Sequence, residues 1–145
     1  MNILEEIKKV LFSKGNIVFA YVFGSCARNT MTENSDIDIA IYLKDKEISI
    51  DDYLSLKVEL EDKIKKEIDL VILNEAQPLV KHEVFIEGIR LFSRDETLES
   101  NFKVHTVFEY EDTKKLREKF YNSMIENLRK EVKDNGQKGC NKRKT

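Results

Sequence analysis

Three features of this 145-residue sequence predict a small mixed α/β (α+β) sheet flanked by helices, with a C-terminal helical segment. Helical and strand-like segments alternate over the first 92 residues in the order α-β-β-α-β-α-β. Ile17–Phe23 is a continuous apolar run rich in β-branched and aromatic residues, as expected of a strand buried on both faces. The last third has no strand pattern and carries an i, i+4 ladder: Leu116, Phe120, Met124, Leu128 and Val132.

The first element is an amphipathic helix, with Ile3, Leu4, Ile7, Val10 and Leu11 on one face and Gly15-Asn16 as its stop. The strand Ile17–Phe23 ends at Gly24-Ser25. Residues 28–35 are polar except for Met31. A strict period-2 strand covers 36–43, with Ile37, Ile39, Ile41 and Leu43 on one face and Asp36, Asp38, Ala40 and Tyr42 on the other. A second helix is expected over about 49–67, with Asp51 or Asp52 as cap or first-turn acid and Tyr53, Leu56, Leu60 and Ile64 as its buried stripe. A strand follows at 68–73. Pro78 suits the first turn of a helix closed at Gly88, and 89–92 is a short fourth strand.

The remainder, 95–133, reads as helix, and a break near Glu111-Asp112-Thr113 would make it two. The expected organisation is a sheet domain over 1–94, a helical extension of it over 95–132, and a disordered basic tail over 133–145. The last 13 residues carry a net charge of +4 and the preceding 132 carry −6. Such a tail could touch RNA, although solvation alone accounts for it.

Composition narrows the function classes. The net charge of −2 argues against a basic coat for nucleic acid, and 41% hydrophobic against 36% charged residues suits a globular domain. Two cysteines, Cys26 and Cys140, cannot form a disulfide framework or a cysteine-rich zinc site, and favour a reducing compartment. The longest uncharged stretch, 15–27, is too short to cross a bilayer, and the N-terminus shows no secretory pattern. A cytoplasmic location is expected.

The chemistry concentrates in 24–43 and 68–71. Asp36 and Asp38, two apart, emerge on one face of a strand, and Asp69 opens another apolar strand. Crowded carboxylates repel, and a divalent cation removes that cost. Mg²⁺ takes a few carboxylates and completes its shell with water and substrate phosphates. At Gly24-Ser25 the missing Cβ lets a phosphate approach backbone N–H groups, and the Ser25 hydroxyl adds a donor. Arg28 could clamp a terminal phosphate bidentately. His82 and His105 stand outside this constellation and are expected to be structural. Cys26 lies in the turn with nothing marking it as a nucleophile. Phe102, Val104, Val107 and Phe108 suit either a partner patch or packing on the sheet.

Gly24-Ser25, ten residues, Asp36-x-Asp38, then Asp69 on a later strand resembles the nucleotidyltransferase superfamily related to DNA polymerase β. The run Gly24-Ser25-Cys26-Ala27-Arg28-Asn29-Thr30, followed by Asn34-Ser35-Asp36-Ile37-Asp38-Ile39-Ala40, resembles minimal nucleotidyltransferases of the MntA antitoxin type, which pair with HEPN-domain ribonuclease toxins. Many minimal nucleotidyltransferases have Gly at the position of Asn29. The resemblance spans about 1–92.

It implies one or two Mg²⁺ ions on Asp36, Asp38 and Asp69, with Asp69 on the ion that acidifies the attacking hydroxyl. It implies a nucleotide site of Gly24, Ser25, Arg28 and Ser35, and ATP as substrate. The implied reaction moves AMP to a tyrosine hydroxyl of the toxin and releases pyrophosphate, within a hetero-oligomer of toxin and antitoxin. Two other readings stay open. One is a nucleotidyltransferase acting on a small molecule such as an aminoglycoside. The other is an antitoxin that acts by occlusion without catalysis.

Overall fold

The computed structural model describes residues 2–28 and 35–137, the last four by backbone alone. Four helices and four strands run in the order α1 (Ile3–Phe12), β1 (Ile17–Phe23), β2 (Ile37–Leu43), α2 (Ile50–Ile64), β3 (Ile68–Ile72), a 3₁₀ turn (Leu73–Glu75), α3 (Pro78–Glu87), β4 (Ile89–Ser93) and α4 (Glu96–Gln137). The strands form one mixed sheet in the order β3-β2-β1-β4. β1 is antiparallel to both neighbours, and β2 and β3 are parallel.

Each face of the sheet has its own core. On one, Ile37, Ile39, Ile41 and Leu43 of β2 meet Ile7, Val10 and Leu11 of α1 and Leu56, Leu60 and Ile64 of α2. On the other, Phe19, Tyr21 and Phe23 of β1 and Ala40 of β2 meet Val84 of α3, with Leu98 and Phe102 of α4 packed against them. β1 is buried along its whole length because both faces are covered. An irregularity in its pairing with β2 between Ile17 and Phe19 breaks strict alternation, so Val18 and Phe19 join the same core. The rings of Phe19 and Tyr42 stack with centroids 4.9 Å apart, and Phe102 meets Tyr42 edge-on at 4.9 Å.

The element ends have local causes. Asn2 Oδ1 accepts from Leu4 N at 2.9 Å, capping α1. That helix stops at Phe12 with Ser13 in right-handed geometry, ahead of the expected Gly15 signal. Ser49 Oγ accepts from Asp52 N at 3.1 Å, so Ser49 caps α2 and Asp51 and Asp52 are its first-turn acids. α2 ends at Ile64 because Lys65 turns left-handed at φ 63°. The Asn74 amide bonds both the N–H (2.8 Å) and the C=O (3.0 Å) of Leu43, extending the β2–β3 pairing beyond β3.

The chain forms two compact units, 1–107 and 108–145, and the boundary falls inside α4. α4 is one helix of 42 residues, opened by Asp95 Oδ1 accepting from Leu98 N. The expected break at 111–113 is absent, since none of these residues is Gly or Pro and the Thr113 hydroxyl bonds Glu109 O at 2.8 Å within the helix. The helix also continues through Lys133–Gln137, where a disordered tail was expected; its backbone bonds are internal and need no burial. The rest of the basic tail, with Cys140, lies outside the described residues. Phe102 packs into the sheet, whereas Val104, Val107 and Phe108 are exposed. Among the described residues no helix is long and apolar enough to cross a membrane.

Glu99 is the ionic tie of the first unit. It is 2% exposed, accepts from the Tyr21 hydroxyl, and receives Arg90 Nη1 at 2.8 Å. Burial, and then the bond to Glu99, push the Tyr21 phenol far above its usual range. Glu99→Ala would leave the Tyr21 hydroxyl buried without its acceptor. It is expected to cost about 2–4 kcal/mol in urea unfolding. Glu99→Gln should recover at least half of that, and a loss below about 0.5 kcal/mol in the alanine variant would refute the assignment.

Candidate active site

The site lies where β1 ends and β2 begins. Phe23 is the register partner of Asp38 in the antiparallel pair, so Gly24 follows directly beside that carboxylate. Gly24 is left-handed at φ +70°, and a Cβ built there would stand 2.1 Å from Asp38 Oδ2. Arg28 N donates to Gly24 O at 3.1 Å, closing the turn. Gly24 is thus the residue that allows the chain to turn against Asp38.

Parallel pairing of β2 with β3 makes Asp38 and Asp69 register partners. The two carboxyl groups are within hydrogen-bonding reach of each other. Asp38 is pushed up to about 6, first by burial, then by the charges of Asp69, Glu83 and Asp36. Asp36 precedes β2, is exposed, and lines an open groove with Asp69, Lys57, Glu61 and Glu67. The expected set of three carboxylates is therefore two in contact, with Asp36 at their edge. Among the described residues, no three His, Cys, Asp or Glu side chains are gathered closely enough to hold a metal ion as they stand. The donor set nonetheless suits a hard divalent cation: oxygen ligands only, and a repulsion that such a cation would relieve.

Arg28 leaves the turn toward α3. Its Nη1 lies 3.0 Å from Glu87 Oε2 and 3.9 Å from Glu83 Oε1. Sequence reasoning missed both glutamates, which stand on a helix more than fifty residues away and carry no local signal. Glu83 also adds its charge to the Asp38 environment. Cys26 is half-buried, and burial followed by the charge of Asp38 raises its thiol, the reverse of what a nucleophile needs. Ser25 and Ser35 are both partly buried, Ser25 directly following Gly24 and Ser35 directly preceding Asp36. His82 on α3 is half-buried and His105 on α4 is exposed.

The site thus combines a left-handed glycine turn with two strand carboxylates held side by side by parallel register. Residues 5–97 match the family model described as Polymerase beta, Nucleotidyltransferase, and the chain belongs to that family. It is 37% identical over 91 residues to "Putative protein adenylyltransferase MJ0435" of Methanocaldococcus jannaschii, a match covering 61% of this chain and 97% of that protein. It is 28% identical over 130 residues to the protein adenylyltransferase MntA of Shewanella oneidensis, covering 88% of this chain and 92% of the relative. A chain in the crystal structure of a toxin–antitoxin with AMP-PNP superposes with a TM-score of 0.75 at 25% identity, covering 84% of this chain and 98% of that one.

Proposed function

We propose that this chain is an antitoxin that transfers AMP from ATP to a tyrosine hydroxyl of a HEPN-domain ribonuclease toxin, releasing pyrophosphate and neutralising the toxin. The observation that carries this reading is the Asp38–Asp69 pair set against the left-handed Gly24 turn. The likeness to the MntA adenylyltransferase supports the choice of AMP and of a protein acceptor.

Asp36, Asp38 and Asp69 would hold one or two Mg²⁺ ions. Mg²⁺ bound there would neutralise phosphate charge and acidify the acceptor hydroxyl. Gly24 leaves room for the β- and γ-phosphates at the turn, and Ser25 and Ser35 donate to them. Arg28 reaches the phosphates by leaving Glu87. That exposed ion pair is worth less than about 1 kcal/mol, and a triphosphate offers the guanidinium a stronger partner. The acceptor oxygen attacks the α-phosphorus in line, the bond from that phosphorus to the bridging oxygen breaks, and pyrophosphate leaves with the electron pair. The phenolic proton passes to solvent. The protein's share is positioning and charge.

The test is intact mass spectrometry of the protein encoded beside this one, incubated with this chain, ATP and Mg²⁺. One or more AMP units should be added by the wild type and none by Asp36→Ala/Asp38→Ala. Peptide mapping should place them on tyrosine. Tight binding without mass gain would move the reading to occlusion. Neither binding nor gain would favour a small-molecule acceptor.

A further inference from the structure

The second unit of the chain turns apolar side chains outward. Leu116 is 67% exposed and Phe120 73%, and Met124, Leu128 and Val132 continue the row at about half exposure with Tyr121 beside it. A spacing of four advances about 40° per step, so these residues form an i±4 ridge that winds along about 24 Å of helix. Ridges of this kind seat in the grooves between rows of side chains on another helix. Each of the six is 45–73% exposed, and an extended row of exposed apolar side chains on one helix is the kind of patch that marks an interaction surface.

Length adds an independent argument. The match to the family model ends at residue 97, ahead of the ridge. The match to MntA takes in 88% of this chain, and any stretch of that length includes Leu116 to Met124. The ridge therefore lies beyond the residues that match the nucleotidyltransferase family, yet most of it lies within the part of the chain shared with a protein-modifying relative.

We propose that the ridge Leu116–Phe120–Met124–Leu128, flanked by Tyr121 and Val132, is the docking surface for the protein that receives the nucleotide. Its occupant is an apolar groove between helices of that partner. The proposal rests on the reading of this chain as a protein adenylyltransferase.

The test measures binding and transfer separately, using the full chain and the protein encoded beside it. Titration calorimetry should show tight binding by the wild type and by Asp36→Ala/Asp38→Ala. Phe120→Glu/Leu128→Glu should weaken binding at least 100-fold while leaving far-ultraviolet circular dichroism unchanged. Transfer by that variant should recover as partner concentration is raised, a KM effect with kcat retained. Leu54→Glu, at an exposed apolar position on α2, should bind as the wild type does. Binding by the ridge variant within threefold of wild type would overturn the proposal, as would a wild type that does not bind. So would a chain that dimerises alone through the ridge and still binds the partner when the ridge is charged. Ridge-dependent binding with no AMP added would uphold the docking surface and overturn the transfer reaction.

Discussion

Asp38→Asn is expected to reduce AMP transfer by about 10³-fold or more and, at neutral pH, to make the folded chain more stable. Both effects come from one carboxylate. Its burial and its three acidic neighbours raise it to about 6 from the ordinary 3.8. Below about pH 4 the folded and unfolded states both carry the protonated form, and the site costs little. Between about 4 and 6 the unfolded chain loses its proton while the folded chain keeps it, so stability falls as pH rises. Above about 6 the folded chain carries the full penalty. The shift corresponds to a ceiling of about 3 kcal/mol, and solvent screening at a partly exposed carboxyl brings the expected figure to about 1–3 kcal/mol. Asparagine keeps the shape without the charge. Its melting temperature should exceed that of the wild type by about 3–10 °C at pH 7.5, and the gap should close toward pH 4. Mg²⁺ should raise the melting temperature of the wild type more than that of the variant. A gap that does not change with pH, or transfer within tenfold of wild type, would refute the account.

Gly24→Ala should separate activity from stability in the other direction. The new methyl group meets Asp38 Oδ2 at 2.1 Å and Cγ at 3.1 Å. These atoms belong to a side chain that can rotate, so the clash is relieved by swinging the carboxylate off its pairing with Asp69. The left-handed backbone adds about 1–2 kcal/mol, partly offset because alanine also restricts the unfolded chain. The net loss of stability should be about 1 kcal/mol. In the proposed reaction, displacing this carboxylate by an ångström costs far more in rate, about 100-fold or beyond. Parallel measurement of the urea midpoint and single-turnover transfer would check this. A variant that transfers within tenfold of wild type, or one that fails to fold, would contradict it.

The regular elements were legible because their signals are local. Alternation at 37–43 puts Ile37, Ile39 and Ile41 on one face whatever the strand pairs with, and Pro78 and Gly88 bracket α3 from within a dozen residues. The continuity of α4 was harder to read. Asp112 and Thr113 have weak helix propensity, and only the unbroken backbone shows that two weak residues inside a long helix do not end it. At the candidate site, the Gly24 turn and Asp36-x-Asp38 lie within 15 residues and could be seen together. Arg28 could be seen, but not what holds it: Glu83 and Glu87 approach only because α3 packs on the sheet face that carries Asp38.

The sequence alone therefore determined the elements, the acidic and glycine residues they carry, and the family those residues resemble, because periodicity and turn chemistry act over a few residues. Only the tertiary structure decided the strand order β3-β2-β1-β4, the parallel register that sets Asp69 beside Asp38, and the burial of Glu99 under Tyr21 and Arg90. These depend on which apolar faces cover one another. That is a property of the whole chain, and it is the reason two aspartates 31 residues apart stand side by side.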